Sequence, residues 1–297
     1  MLDYAALAAV AAVAREGSFE RAAVALGITP SAVSQRVRGF EERLGAVLIV
    51  RGQPCVPTEA GQALCGHFDR VRLLEADLAP ALTATGPGAG LPRTLGVAVN
   101  ADSLATWFPR AAAHFAERTG VLLDLRIEDE AHTADRLRSG EVLAAVTADP
   151  EPVQGCRTSP LGGLHYAACA SPDFVRRHFP DGISAGALAT APHMRFDRRD
   201  LLQARWAREV FGADLRGPVH WVPSAQGFLD LALAGLAWAM QPVALALPHI
   251  AAGRLVELPP GRRIAVTLHW TVARLHAAAL RALTDAVREA AARGLSA

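Results

Sequence analysis

The spacing of apolar residues predicts a run of helices in the first part of the chain. Apolar positions three or four residues apart predict helices over residues 3–15 and 19–26, and a glycine follows each of them. A third helix is predicted from Pro30, because Thr29 is a good N-cap and proline suits the first helical position. The tight connection GITP joins the second and third helices, so the pattern predicts a helix-turn-helix.

Two short strands and a long helix are predicted after the third helix. The segments VLIVR and CVPT flank the turn GQP and predict a small β-wing. Thr58 then caps a helix over roughly 59–82, whose apolar stripe contains Leu64, Phe68, Val71, Leu74 and Leu78. The segment TATGPGAGLPR cannot continue that helix because it is rich in glycine and proline, so a domain boundary is expected there.

From residue 94 onward, predicted strands and helices alternate, which is typical of parallel sheets flanked by helices. The first set comprises TLGVAVN, a helix from Ser103 to Arg118, VLLDLRIED, a helix from Thr133 to Ser139, and VLAAVTAD. The second set comprises HYAACAS, helices near 172–178 and 199–211, PVHWVP, a helix over 225–235, and LAWAM, before IAVTLHWTV and a helix over about 276–293. Two α/β lobes joined by two crossing segments fit this pattern, with a ligand cleft expected between them.

The third helix has two faces of different character. Its apolar face contains Val33, Val37, Phe40 and Leu44. In a helix-turn-helix the second helix lies in the major groove, where glutamine can bond adenine and arginine can bond guanine or a phosphate. The side chains predicted to contact DNA are Ser31, Ser34, Gln35, Arg36, Arg38 and Arg51. The alternative is that this polar face is the solvated side of an ordinary surface helix. The tight turn, the helix caps and the wing favour DNA binding over that alternative.

Composition and charge exclude some classes of function. The 297 residues carry a net charge of +1, which excludes a uniformly basic nucleic-acid-binding surface but allows a local basic patch. The four cysteines form no C-x-x-C pair and lie near no histidine at zinc spacing, so we expect reduced thiols. The N-terminus lacks a basic n-region, and no apolar run is long enough to span a bilayer, so we expect a cytoplasmic protein with no membrane partner.

The sequence lacks three common enzyme motifs. It has no H-E-x-x-H or Walker sequence, and no G-x-G-x-x-G follows a strand. The ten histidines form no metal-like pair on one helix face. We therefore expect no catalytic residue, no metal and no cofactor.

Several long stretches resemble a known family. GSFERAAVALGITPSAVSQRVRGFEERLGAVLIVR, followed by PTEAG, resembles the winged helix-turn-helix of LysR-type transcriptional regulators, which are bacterial DNA-binding proteins. The resemblance continues through the linker helix and the two-lobed part, so it covers essentially the whole chain. One branch of that family, ArgP/LysG, is resembled in particular. The similar segments are VRGQPCVPTEAG, LGVAVNADSLATWF, RLRSGEV, FVRRHFPDGI and MRFDRRD. That branch senses basic amino acids and controls lysine or arginine export.

The resemblance implies a domain organisation and a set of partners. Residues 1–58 would form the winged helix-turn-helix, 59–82 a linker and dimerisation helix, and 83–93 a flexible hinge. The implied α/β effector domain of periplasmic-binding-protein type spans 94–297, with lobe I at about 94–163 and 268–297 and lobe II at about 164–267. The implied partners are double-stranded operator DNA, an L-lysine or L-arginine effector, a second copy in a homodimer or a dimer of dimers, and RNA polymerase. The apolar stripe of the linker helix agrees independently with a dimer contact.

A free amino acid needs donors for its carboxylate and an acidic or carbonyl group for its ammonium. Asp102 and Ser103 lie between a predicted strand and a predicted helix, where backbone N–H groups and the Ser103 hydroxyl can bind an anion. The alternative is that one of them merely caps the helix. Further predicted ligand contacts are Thr147, Asp197 and Ser224, of which the last two could equally be caps.

A basic ligand side chain also needs a carboxylate partner. The segment LRIEDE supplies Glu128, Asp129 and Glu130 at the carboxyl end of a strand, where open α/β sheets commonly bind ligands. Strand alternation places Asp129 on one side and the other two on the opposite side. We take Asp129 as the first candidate, against the alternative of a solvated loop start.

Three other functions are compatible with parts of the pattern. A LysR-type regulator could respond to another small metabolite, because effector pockets vary more than folds. A DNA-binding protein could shape or block DNA without any ligand. Two lobes alone would also suit a solute-binding protein, but the winged domain and the absence of a secretion signal count against that function.

Overall fold

The computed structural model describes residues 2–78, 94–128 and 132–296. The first described part contains α1 (Tyr4–Glu16), α2 (Phe19–Leu26), α3 (Pro30–Leu44), β1 (Ile49–Val50), β2 (Val56–Pro57) and α4 (Glu59–Leu78). Local signals set these bounds, because Asp3, Ser18 and Thr29 each accept a hydrogen bond from the first turn of the helix that follows. β1 and β2 pair antiparallel and form the predicted wing. The predicted winged helix-turn-helix is therefore confirmed.

One apolar core joins α1, α2 and α3 to the wing. It contains Val10 and Val13 of α1, Ala22 and Ala23 of α2, and Val33, Val37 and Phe40 of α3. The linker helix α4 also contributes, because Cys65 and Phe68 are buried in this core and Leu64 packs against it. The N-terminal half of the apolar stripe therefore packs within the chain, whereas Leu74 remains 39% exposed.

The remaining helices and strands form the predicted α/β architecture. They are β3 (Thr94–Val99), α5 (Ala101–Ala105), α6 (Phe108–Thr119), β4 (Leu122–Ile127), α7 (Thr133–Ser139), β5 (Ala144–Thr147), β6 (Cys156–Ala170), α8 (Pro172–His178), α9 (Ala185–Leu188), β7 (His193–Arg195), α10 (Leu202–Phe211), β8 (Val219–Trp221), α11 (Ala225–Leu233), β9 (Ala239–Pro242), α12 (Val243–Ala251), β10 (Val256–Glu257), β11 (Ile264–Ala273) and α13 (Ala278–Gly294). None of the helices in the described ranges is long and apolar enough to cross a membrane.

The chain divides into two compact units. The first comprises residues 1–99, 112–159 and 270–286, and the second comprises 100–111, 160–269 and 287–297. In the first unit, β3 pairs parallel with both β4 and β5. Gly96 of β3 lies against the backbone of Glu141, where an added Cβ would be 2.6 Å from the carbonyl oxygen, so this strand position requires glycine.

Within the first unit, the linker helix contacts the helix that follows β4. α4 packs against α7, and an added Cβ at Gly66 would lie 2.7 Å from the Gly140 carbonyl oxygen. The absence of a side chain at Gly66 therefore allows the backbones of α4 and of Gly140 to approach closely. Near the end of α4, Asp77 also accepts a hydrogen bond of 2.7 Å from the backbone N–H of Ala278, at the start of α13.

In the second unit, β6 pairs antiparallel with β9 and β10. β7 pairs parallel with β8, and a parallel bridge joins His193 of β7 to Trp238, just before β9. Because β7, β8 and β9 run in the same direction, their carboxyl ends lie at the same edge. The side chains of Met194, Trp206 and Trp238 are fully buried in the core of this unit.

The structure corrects several secondary-structure predictions, including the following. The helix predicted from Ser103 to Arg118 is two helices, α5 and α6, separated at Thr106 and Trp107. Pro109 explains the break, because proline lacks the N–H that a continuous helix needs and suits the first turn of a new one. α9 and α12 were not predicted: α9 has only four residues, and α12 contains Pro248, which resembles a helix stop in the sequence.

Candidate functional site

The polar face of α3 is open to solvent. Ser31, Gln35, Arg36 and Arg38 are exposed and Ser34 is half-buried. On the opposite face, the buried side chains of Val33, Val37 and Phe40 hold α3 against the core. The predicted groove-facing side chains thus project from a helix whose orientation is fixed by packing.

The charged side chains around α3 have different partners. Arg38 forms a 2.8 Å ion pair with Glu42, and these side chains are 75% and 63% exposed. Such an exposed pair contributes little stability, so Arg38 can exchange Glu42 for a phosphate at low cost. The guanidinium of Arg51, just after β1, lies 5.1 Å from the ring centre of Phe19 in a cation–π contact.

Glu41 connects α3 to the wing. Its carboxylate accepts hydrogen bonds from the backbone N–H groups of Leu48 and Ile49, at 2.8 and 3.1 Å. Thr58 continues the connection, since its hydroxyl donates to the Val47 carbonyl at 2.8 Å and caps α4 through Gly61 N–H. The wing is therefore held in place relative to α3 by side-chain hydrogen bonds.

Replacing Gln35 or Ser34 with alanine should weaken operator binding selectively. A lost base contact costs about 1–3 kcal/mol, whereas phosphate contacts position the protein without reading sequence. Gel shifts on an operator selected from genomic fragments, and on random DNA of equal length, measure the difference. An equal small loss on both DNAs would remove these residues from base readout.

A second cluster of polar side chains lies in the second unit. The Tyr166 hydroxyl donates a 2.7 Å hydrogen bond to Oδ2 of Asp102, which lies in α5. Burial raises the pKa of Asp102, the Tyr166 hydrogen bond lowers it, and the negative charge of Asp200 raises it again. Burial also raises the pKa of Tyr166 well above its usual value, so the hydroxyl remains a donor. Asp102 is therefore a carboxylate in an environment that favours a cationic partner.

Ser103 is fully buried beside Asp102. Its hydroxyl oxygen accepts a 3.0 Å hydrogen bond from the indole N–H of Trp107, which connects the two short helices α5 and α6. The alternative that Asp102 or Ser103 caps the helix is wrong, because Asn100 occupies the N-cap position. α5 starts two residues earlier than predicted, which places Asp102 and Ser103 inside its first turn.

Asp197 and Ser224 both form local caps at the carboxyl ends of β7 and β8. Oδ1 of Asp197 accepts hydrogen bonds from Arg199 N–H at 2.7 Å and Asp200 N–H at 3.0 Å. The Ser224 hydroxyl caps α11 by accepting a 3.0 Å hydrogen bond from Gly227 N–H. A hydroxyl that accepts one hydrogen bond keeps its own proton for donation, so capping leaves Ser224 able to contact a ligand.

Sequence reasoning did not identify Asp200 or Tyr166. Asp200 accepts hydrogen bonds from Phe196 N–H, Leu202 N–H and the Gln203 side chain, at 2.9, 3.0 and 3.2 Å. Asp200 could have been predicted as a site residue, because it lies in MRFDRRD, a segment that carries part of the family resemblance. Tyr166 gave no such signal, because a tyrosine in an apolar strand is typical of a core.

In the first unit, Thr147 lies next to Glu128. The Thr147 hydroxyl donates to Oε1 of Glu128 at 3.0 Å and accepts from Asp149 N–H at 3.0 Å. Asp129 and Glu130 lie outside the described residues. Within the described ranges, no group of three or more histidine, cysteine, aspartate or glutamate side chains is arranged to hold a metal ion.

Comparison with known proteins identifies the family. Residues 4–62 match the bacterial regulatory helix-turn-helix protein, lysR family, and residues 88–292 match the LysR substrate binding domain. The regulator ArgP of Pseudomonas aeruginosa is 43% identical over 295 residues, which cover 99% of this chain and 98% of that protein. LysG of Mycobacterium tuberculosis is 44% identical over 291 residues, covering 98% of this chain and 94% of that protein.

Two solved structures are similar over the full length. A crystal structure of ArgP from Mycobacterium tuberculosis is 41% identical, with a TM-score of 0.77, and the match covers 100% of this chain and 99% of that one. Full-length LysG from Corynebacterium glutamicum with bound effector Arg is 39% identical, with a TM-score of 0.67 and 100% of both chains covered. These relatives are regulators, not enzymes. The chain belongs to the LysR family of DNA-binding transcriptional regulators, and its relatives place it on the ArgP/LysG branch.

Proposed function

We propose that this regulator works in the cytoplasm, responds to L-arginine or L-lysine, and controls a gene for basic amino acid export. The observation that carries the proposal is the half-buried Asp102 carboxylate, hydrogen-bonded to Tyr166 and close to the charge of Asp200. A permanently charged ligand side chain cannot be buried without an anionic partner, and Asp102 offers one. The arginine bound to the related LysG supports the same ligand class.

The remaining groups of the ligand need different partners. The Ser224 hydroxyl keeps a proton that can be donated to the α-carboxylate, and Asp197 lies at the end of the neighbouring parallel strand. Asp129 and Thr147 remain candidate contacts from the sequence. Ser103 also remains a candidate contact, because its hydroxyl accepts from the Trp107 indole N–H and keeps a proton for donation.

We further propose that the protein acts as a homodimer or a dimer of dimers, with RNA polymerase as a partner on promoter DNA. The supporting observation is the exposed Leu74 on α4, beyond the part of the apolar stripe that packs on the chain's own core. Effector binding would then shift the population between arrangements of the oligomer on DNA.

A DNA-binding measurement tests this function. Genomic fragments that bind the protein are selected, and the affinity and footprint of the best fragment are measured with and without arginine and lysine. We expect at least one of these amino acids to change the affinity or the length of the footprint. An unchanged affinity and footprint with both would contradict the proposed response and favour a ligand-independent architectural protein.

Arginine affinity should fall as the pH is lowered. The guanidinium stays charged, but Asp102 becomes protonated as the pH falls through its raised pKa, and a neutral carboxyl attracts the cation less. Titrations from neutral pH down towards the ordinary aspartate pKa should show this loss together with proton release on binding. Asp102→Asn should make the profile flatter, whereas an identical profile in both proteins would exclude Asp102 as the titrating group.

A further inference from the structure

Gln241 is a buried amide that has no hydrogen-bond partner in the described part of the chain. It lies in β9 and is 0% exposed, and neither its Nε2 nor its Oε1 is hydrogen-bonded. Native structures pair nearly all buried polar side-chain atoms, because an unpaired buried amide loses its bonds to water without compensation. A side chain that leaves both a donor and an acceptor unpaired therefore indicates a binding partner that supplies both.

The strands around Gln241 carry the polar cluster of the second unit. Across the β6–β9 pair, Ala167 pairs with Gln241 and Tyr166 pairs with Pro242. Strand alternation places Gln241 on the face of Ala167, which packs with α11, and Tyr166 on the other face, so the two residues share only the end of the strand pair. β7 runs parallel to β9, so Gln241 lies at the edge where β7 ends and the loop with Asp200 begins.

Helix packing brings the other polar residues to the same place. α11, which Ser224 caps, packs against both β9 and α5, the helix that contains Asp102. In α/β sheets, ligands bind outside the carboxyl ends of parallel strands. Gln241 thus occupies a ligand-binding position in the topology, next to elements that already carry the carboxylate and the hydroxyl.

We propose that Gln241 recognises the α-amino acid head group of the effector. Its Nε2 donates to the α-carboxylate, and its Oε1 accepts from the α-ammonium. A primary amide suits this zwitterion because it presents one donor group and one acceptor on the same plane. Asp102 is left for the side-chain cation, so recognition of the head group and of the side chain is divided between two residues. This assignment rests on the proposed function of the same site.

The test compares arginine with agmatine, which is arginine without its carboxylate. Both are titrated calorimetrically into the full-length wild type and into Gln241→Met, which keeps a similar length and removes both polar atoms. We expect the variant to lose at least about a hundred-fold in arginine affinity, the effect of two hydrogen bonds to charged groups. Agmatine affinity should fall clearly less, by about ten-fold, because agmatine keeps the ammonium that bonds Oε1 and lacks only the carboxylate that bonds Nε2.

Two controls separate ligand recognition from folding. The melting temperature of ligand-free Gln241→Met should equal or exceed that of the wild type, because the variant no longer buries an unpaired amide. Gln226→Met replaces an exposed glutamine that bonds Asp230 within α11, and it should leave arginine affinity unchanged.

The outcomes distinguish this assignment from the proposed function. Wild-type arginine affinity in Gln241→Met would contradict it and indicate that the amide is satisfied by water. An equal loss for arginine and agmatine would also contradict it, because the contact would then not involve the carboxylate. A wild type that binds neither arginine nor lysine would instead contradict the proposed function.

Discussion

Asp102→Asn should lower arginine affinity by roughly 2–5 kcal/mol, or from about thirty-fold to a few thousand-fold, the scale of breaking a buried charge pair. Asparagine keeps the size of the side chain and an oxygen that can accept the Tyr166 hydrogen bond, so only the charge is removed. The raised pKa also means that the free protein loses stability as the pH rises through that pKa. The variant should therefore be at least as stable as the wild type at about pH 8.

Calorimetric titration measures the effect of Asp102→Asn, and Asp173→Asn is the matched control. Asp173 is an exposed aspartate of the same unit, paired with Arg176 within its own helix, so its substitution should not alter arginine affinity. Binding to DNA without effector should be unchanged in both variants. Asp129→Asn is titrated alongside, and a loss confined to that variant would assign the ligand cation to Asp129 instead.

Glu41→Ala should destabilise the winged domain and weaken binding to any DNA. The carboxylate accepts from two backbone N–H groups, those of Leu48 and Ile49, and both residues are buried. Leaving the two amides unpaired costs roughly 2–4 kcal/mol together. The wing would then lose its fixed position beside α3, so affinity should fall for operator and random DNA alike.

Glu42→Ala provides the control for Glu41→Ala. Glu42 pairs with Arg38 on the exposed face, so its loss should leave stability unchanged and leave Arg38 free for a phosphate. Thermal unfolding and gel shifts measure both effects. Equal melting temperatures for Glu41→Ala and the wild type would show that the wing does not depend on this carboxylate.

The winged domain could be predicted from the sequence because its signals are local. Thr29 caps the helix that starts at Pro30, and both residues are adjacent in sequence to the structure that they determine. The division of roles between Glu41 and Glu42 could not be predicted, because both carboxylates are near arginines in the sequence. Only the return of the chain at Leu48 shows which of them holds the wing.

The effector site could be predicted only in part. Asp102 follows a strand directly, which made it a candidate, but its partner Tyr166 lies 64 residues away. Gln241 is in an apolar strand, where nothing in the sequence indicates that its amide has no hydrogen-bond partner among the described residues. Contacts between distant segments depend on the packing of the whole unit, so residue type and spacing alone did not identify them.

The charge of the effector side chain can be measured by calorimetric titration of the wild type with L-arginine, L-lysine and L-norleucine, because norleucine keeps the head group and an aliphatic side chain without the charge. If the effector is a basic amino acid, arginine or lysine should bind at least about thirty-fold more tightly than norleucine, the lower limit for a lost buried charge pair. Norleucine affinity equal to that of the basic amino acids would contradict a cationic effector, because the ligand would then need no carboxylate partner.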